Sequence, residues 1–133
     1  FGSGYLYFTV PRVILFREEH SRRVFVDKVD FVSAPGWSPP DVHRPGGPYA
    51  LITSLCVFIY DRDNHRFRLS GLLPGATLEE VRDNTGFDFD CPDGIGDIPP
   101  PEADRLELIR TRIAGEIAET YPEFARDRLG WQG

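Results

Sequence analysis

Two apolar runs, Ala50–Tyr60 and Phe67–Leu73, flank the polar cluster Asp61-Arg62-Asp63-Asn64-His65-Arg66. Turn formers between two β-rich runs predict a hairpin. The first run is apolar at both parities, with Leu51, Leu55, Val57 and Ile59 on one side and Ile52, Cys56, Phe58 and Tyr60 on the other. One strand covered on both faces is expected. The second run puts Arg66, Arg68 and Ser70 opposite Phe67 and Leu69, the pattern of a half-buried strand nearer an edge. Pro74-Gly75-Ala76 ends it, and Thr77-Leu78-Glu79-Glu80 reads as a capping box that starts a helix. Gly86 is expected to stop that helix in a left-handed conformation.

Upstream, Tyr5–Phe16 is aromatic and β-branched with Pro11 inside it, which predicts an extended segment ending in a strand at Val13-Ile14-Leu15-Phe16. Arg17–Arg23 is a charged turn, and Val24–Ser33 has strand composition with Asp27, Lys28 and Asp30 exposed or at an edge. Ala34–Pro48 holds five prolines and three glycines in fifteen residues, so it is an irregular loop. Its Trp37 indicates a loop that packs on something. Downstream, Cys91–Pro101 is a second rigid loop. Leu106, Ile109, Ile113 and Ile117 then form the apolar stripe of an amphipathic helix over Glu102–Thr120, ended by Pro122. Phe124, Leu129 and Trp131 are too apolar for a loose tail and are expected to cover a neighbouring subunit.

Composition narrows the function classes. With 133 residues and 41% apolar content, the chain supports a single domain, 1–133, with a real core. A net charge of −6, with Lys and Arg interleaved among carboxylates, argues against a nucleic-acid partner. No apolar run is long enough to span a membrane. The absence of methionine predicts a processed, trimmed or fragmentary product. Cys56 and Cys91 match no metal or redox spacing and read as structural thiols of a reducing cytoplasm.

Candidate chemistry is sparse. His20, His43 and His65 lie in polar segments without a second ligand at helical spacing, so surface histidines and no metal site are expected. The acid pairs Glu18-Glu19, Glu79-Glu80 and Asp27/Asp30 sit in a turn, a cap and an exposed strand, where structural roles suffice. Backbone amides approach a ligand most easily at glycine clusters. The chain has two that matter: Gly2-Ser3-Gly4, in the loop-like opening that starts at Phe1, and Gly46-Gly47-Pro48.

An ordered set of motifs carries a family resemblance. It comprises Arg22–Ser33 with Pro35-Gly36, then Gly46-Gly47-Pro48-Tyr49, Leu51–Phe58 and Arg66–Leu69. Pro74–Val81, Asn84-Thr85-Gly86-Phe87 and Pro99–Pro101 complete it. From about Gly2 to Arg112 the chain resembles the β subunit of class I coenzyme A transferases, its C-terminal part, in the glutaconate CoA-transferase-like branch. It departs from the family pattern at Leu73, where the family carries a histidine before Pro-Gly.

The resemblance implies an α/β fold, an open sheet of the NagB/RpiA/CoA-transferase type with flanking helices. It implies an acyl-CoA thioester as substrate and no permanently bound cofactor. The partners implied are the N-terminal half of the same subunit and an α subunit. The glutamate that attacks the thioester is expected on that N-terminal half, so no catalytic side chain is assigned within this chain. Gly2, Ser3 and Gly4 look like the family's glycine loop, which polarises the thioester carbonyl, and Gly46 and Gly47 are the candidate contacts to coenzyme A. Hydrolases and decarboxylases of acyl-CoAs share the fold, and a non-catalytic assembly module is the alternative outside enzymes.

Overall fold

A computed structural model describes residues 2–133, so Phe1 lies outside the described residues. Contacts divide the chain into two compact units, Phe1–Ile98 and Pro99–Gly133. The first unit contains helix α1 (Gly2–Thr9), strands β1 (Val13–Arg17), β2 (Pro48–Thr53), β3 (Cys56–Asp61) and β4 (Arg66–Leu72), and helix α2 (Leu78–Asn84). The strands form one sheet in the order β1-β2-β3-β4, with β1 parallel to β2 and the other pairs antiparallel.

The long apolar run 50–60 is two strands rather than one. Thr53 Oγ1 accepts from the N–H groups of Leu55 and Cys56, both at 3.1 Å, and folds the backbone back at Ser54-Leu55. No glycine or proline is needed, because the hydroxyl takes over the acceptor's part in the turn. The expected hairpin after it is present, with Asp61 opposite Arg66. Asp61 Oδ1 accepts from the amides of Asp63 at 2.9 Å and Asn64 at 3.1 Å.

Leu51, Cys56, Phe58, Leu69, Leu72 and Val81 make the buried core of this unit. Phe58 is fully buried and meets Phe89 edge-to-face, with ring centroids 5.0 Å apart. The edge-to-face geometry adds about 0.5–1.5 kcal/mol to what area burial supplies. Helix α2 begins as expected, with the Glu80 amide donating to Thr77 Oγ1 at 3.1 Å and Glu79 and Glu80 in the positively polarised first turn.

Three expectations change. Tyr5–Thr9 is helical rather than extended, and Gly2-Ser3-Gly4 is the first turn of that helix rather than a loop. Val24–Ser33 forms no strand. Val24 and Phe25 both donate to the Ser21 carbonyl, and Val29, Phe31 and Val32 remain exposed without a ladder to join. Gly86 does not take a left-handed turn, since the cap residue is Thr85 in an extended conformation. Gly86 is required by close approach instead. A Cβ there would run into the Phe25 carbonyl and stand 2.8 Å from the Asp27 nitrogen, and its own N–H donates to Phe25 O at 2.6 Å.

The second unit carries the amphipathic helix in three consecutive pieces: α3 (Ala103–Leu108), a π-helical turn (Ile109–Ile113) and α4 (Ala114–Ala118). Leu106, Ile109, Ile113 and Ile117 are all half-buried, and Ala114 is fully buried. Pro122 does more than end this helix, because it opens α5 (Pro122–Leu129), where its missing N–H costs nothing. Gly130 takes the left-handed cap at φ 74°, and the Trp131 ring packs over Gly115. Trp131 is half-buried on its own chain, while Phe124 stays 50% exposed.

Candidate functional site

The glycine segment that the sequence singles out is a helix end. The first-turn amides of α1 have no acceptor within the helix and sit at the positive end of its dipole. Gly4 approaches the Ser33 carbonyl so closely that a Cβ would stand 3.2 Å from the oxygen, which favours glycine there. With Tyr5, Phe8, Thr9, Ser33, His43 and Arg44, Gly4 lines a cavity of about 440 Å³. The Arg44 guanidinium lies over the Phe8 ring at 4.2 Å and donates to Ser38 Oγ at 3.2 Å. The guanidinium thus sits at the last turn of α1, and the first-turn amides at the other end are by themselves chemically suited to a carbonyl oxygen that gains negative charge.

Gly46 and Gly47 hold the other end of α1. The Gly46 N–H donates to Phe8 O at 2.7 Å and the Gly47 N–H to Val10 O at 3.4 Å, while the Gly47 carbonyl accepts from Val13. A Cβ on Gly46 would clash with the Val10 and Phe8 carbonyls, and Gly47 has φ 144°. The two glycines clamp the last turn of α1 to the start of β2, and both amide protons are engaged within the chain.

The Pro-rich loop does pack, as Trp37 suggests. Trp37 stacks on His65 with centroids 4.6 Å apart, and Arg62 donates to the Pro45 and Pro11 carbonyls, both at 3.1 Å. Beneath the stack lies an apolar cavity of about 510 Å³ walled by Val13, Leu15, Tyr60, Phe67 and Phe87.

His20 is the residue that sequence reasoning missed. His43 and His65 are exposed, but His20 is buried, with Nδ1 2.8 Å from Thr53 Oγ1 and Nε2 2.9 Å from Thr85 Oγ1. Burial lowers its pKa, opposed by the nearby Glu80 charge. The Cys56 sulfur lies 3.9 Å from Nδ1, and burial pushes that thiol up to about 11. A neutral imidazole and a protonated thiol form a packing node that ties the β2 turn to the end of α2. Only the long-range partners Thr53 and Thr85 reveal it, and no local signal in Arg17–Arg23 marks it. Among the described residues, no group of three or more His, Cys, Asp or Glu side chains is arranged to hold a metal ion. None of their helices is long and apolar enough to cross a membrane.

No family model matches the chain. It is 31% identical over 102 residues to the β subunit of glutaconate CoA-transferase of Acidaminococcus fermentans, covering 71% of this chain and 38% of that protein. It is 33% identical over 112 residues to the β subunit of 3-oxoadipate CoA-transferase of Pseudomonas knackmussii, covering 80% and 42%. To the cholesterol ring-cleaving hydrolase IpdB subunit of Rhodococcus jostii it is 34% identical over 114 residues, covering 83% and 42%. Among solved structures, Rhodococcus jostii IpdAB superposes with a TM-score of 0.68 at 32% identity, over 75% of this chain and 42% of the other. Glutaconate CoA-transferase from Acidaminococcus fermentans gives 0.63 at 28% identity, over 74% and 40%. The decarboxylase AibA/AibB gives 0.62 at 26%, over 82% and 41%.

These similarities and the open four-stranded sheet with flanking helices define an α/β domain of the CoA-transferase fold. The chain belongs to the class I CoA-transferase family as a homologue of its β subunits. It spans about 40% of the length of the relatives it matches, the share expected of a C-terminal part.

Proposed function

We propose that this chain is the C-terminal part of the β subunit of a cytoplasmic CoA-transferase-like enzyme that moves coenzyme A between carboxylic acids. The observation that carries the reading is the similarity to two CoA-transferase β subunits, at 31% and 33% identity over more than 100 residues each. In this reading the nucleophilic glutamate comes from the N-terminal part of the subunit, and an α subunit completes the assembly. The glutamate carboxylate attacks the thioester carbonyl carbon, and the carbonyl oxygen takes up negative charge. The first-turn amides of α1, at Gly2, Ser3 and Gly4, face that oxygen. Collapse of the adduct expels the CoA thiolate and leaves an acyl-glutamyl anhydride. The thiolate then attacks the glutamyl carbonyl of the anhydride, which gives glutamyl-CoA and releases the acyl carboxylate. One amide donor to the oxyanion is worth about 2.7–4 kcal/mol of barrier.

The test combines the 133-residue chain with the N-terminal part of a family β subunit and an α subunit, and follows CoA transfer from an acyl-CoA to an acceptor acid. Turnover is expected from the combination, and none from the chain alone. Full turnover by the chain alone overturns the reading.

A second reading, an acyl-CoA hydrolase or decarboxylase, is favoured by the 34% identity to the IpdB hydrolase subunit and by the fold match to the decarboxylase AibA/AibB. Product formation without an acceptor acid distinguishes it. A correctly combined assembly that yields no product at all favours a non-catalytic assembly module.

A further inference from the structure

The cavity beneath the Trp37–His65 stack has an aromatic lining. Five aromatic rings of Tyr, Trp and Phe reach it, those of Tyr7, Trp37, Tyr60, Phe67 and Phe87. Tyr60 and Phe67 meet edge-to-face with centroids 5.3 Å apart, and Phe67 lies 5.9 Å from Phe87, so the rings brace one another while about 510 Å³ stays open. Small-molecule sites have volumes of roughly 300–1,000 Å³. The stack above the cavity rests on a constrained backbone: His65 has φ 54°, the one non-glycine residue at positive φ among the described residues. Histidine tolerates that conformation better than most residues, and here it sets the imidazole against the Trp37 indole.

One polar atom in this lining has no partner. The Tyr60 hydroxyl makes no hydrogen bond with any described residue, although Tyr60 is half-buried and a buried phenol ordinarily finds a partner. Among the described residues no side-chain polar atom is both sealed from solvent and unpaired, so this hydroxyl is open to the space it borders. Gly36 lets the Pro-rich loop pass close against it, since a Cβ there would stand 2.9 Å from the hydroxyl oxygen. Burial raises the phenol's pKa, which keeps the proton on the oxygen at neutral pH. The charges at the rim disfavour an anion. Arg66 is paired with Asp90 at 3.0 Å, and Asp88 adds a negative charge.

We propose that this cavity binds a neutral, ring-bearing molecule with one hydrogen-bonding oxygen, its ring among Trp37, Phe67 and Phe87 and its oxygen paired with the Tyr60 hydroxyl. Aromatic walls favour a flat or cyclic apolar body through offset and edge-to-face contact. The hydroxyl then selects among such bodies, because a pure hydrocarbon leaves it unpaired. The acyl group of an acyl-CoA and a free phenol, alcohol or ketone offer the same chemistry. The proposal goes beyond the transferase reading and does not rest on it.

The test titrates the 133-residue chain with 2-naphthol, naphthalene and 2-naphthoate and follows the indole N–H signals by NMR. Trp131 belongs to the other unit and serves as the internal control. Saturable movement of the Trp37 signal alone is expected, with 2-naphthol bound about fivefold more tightly than naphthalene and 2-naphthoate bound least. Tyr60→Phe is expected to abolish the preference for 2-naphthol over naphthalene. Trp37→Ala, at a half-exposed position and read from broadening of the ligand signals, is expected to weaken both about fivefold. No saturable binding by the folded chain overturns the proposal, and so does equal affinity of the wild-type chain for 2-naphthol and naphthalene, or for 2-naphthol and 2-naphthoate. The titration is repeated in the assembly with the N-terminal part of a family β subunit and an α subunit, which decides if the chain alone does not fold. Loss of 2-naphthol binding there overturns the proposal, because the protein itself then fills the cavity. Displacement by benzoyl-CoA but not by coenzyme A supports the proposal with the acyl group as the source, and no displacement by either supports it with a free compound. Displacement by coenzyme A itself overturns it.

Discussion

His20 Nε2 lies 2.9 Å from the Thr85 hydroxyl, whose own proton is committed to the Val81 carbonyl at 2.7 Å. Thr85 can therefore only accept from the ring. This puts the proton of the neutral imidazole on Nε2 and leaves Nδ1, at 2.8 Å, to accept from Thr53 Oγ1 in preference to the Cys56 carbonyl at 3.2 Å. Protonating Nδ1 would turn that hydroxyl around and place a charge in the core.

The pH dependence follows in sign from this geometry. Burial lowers the His20 pKa in the folded chain, so below about 6.5 the unfolded chain binds a proton that the folded chain does not. The stability His20 contributes is present above that pH and is lost as pH falls through the lowered folded value. Urea midpoints of the wild-type chain and His20→Gln, measured between pH 8 and pH 5, are expected to converge towards low pH. A constant gap across that range contradicts the account.

Thr53 serves the turn and the histidine at once. Thr53→Val removes the acceptor for the Leu55 and Cys56 amides and the partner of Nδ1, at a cost of about 2–4 kcal/mol. Thr53→Ser keeps the hydroxyl and is expected to recover most of it, while losing one buried methyl. Chemical denaturation of the pair separates the hydroxyl's share from the methyl's.

Gly46 and Gly75 make a matched pair of glycine substitutions. Gly75→Ala meets open space at φ 86° and is expected to cost about 1 kcal/mol from conformation alone. Gly46→Ala drives a methyl into the Phe8 and Val10 carbonyls and breaks the clamp on α1, costing about 2–4 kcal/mol. Circular dichroism and amide exchange over Gly2–Thr9 are expected to show α1 loosening only in Gly46→Ala.

What the sequence makes legible is what is written locally. The Asp61–Arg66 turn, the Thr77 cap and the Leu106–Ile117 stripe each lie within a few residues of their cause, and the structure contains all three. The misses are long-range. Helix α1 contains two glycines, each costing about 1 kcal/mol of helix propensity, and is held by a Gly46 amide far along the chain. His20 sits among charged neighbours that predict exposure, yet its partners are 33 and 65 residues away. Val24–Ser33 has strand composition yet forms no strand, and Val24 and Phe25 donate to the Ser21 carbonyl instead. At the candidate site, the glycines are visible in the sequence, but the helical first turn at Gly2–Gly4 and the engaged amides of Gly46 and Gly47 are not.

Thiol reactivity provides a last, independent check on the core. Both cysteines are free; Cys56 is fully buried, with its thiol pushed up to about 11, while Cys91 is half-buried. The thiolate is the reactive form, and at pH 8 a group with that pKa is ionised to roughly one part in a thousand before burial slows reagent access further. A maleimide added to the native chain at pH 8 is therefore expected to label Cys91 first. Cys56 should follow only in denaturant, or in Thr53→Val if loosening the β2 turn opens the core. Rapid labelling of Cys56 in the native chain would mean that β3 opens on the timescale of the reaction, and the packing node around His20 would have to be abandoned.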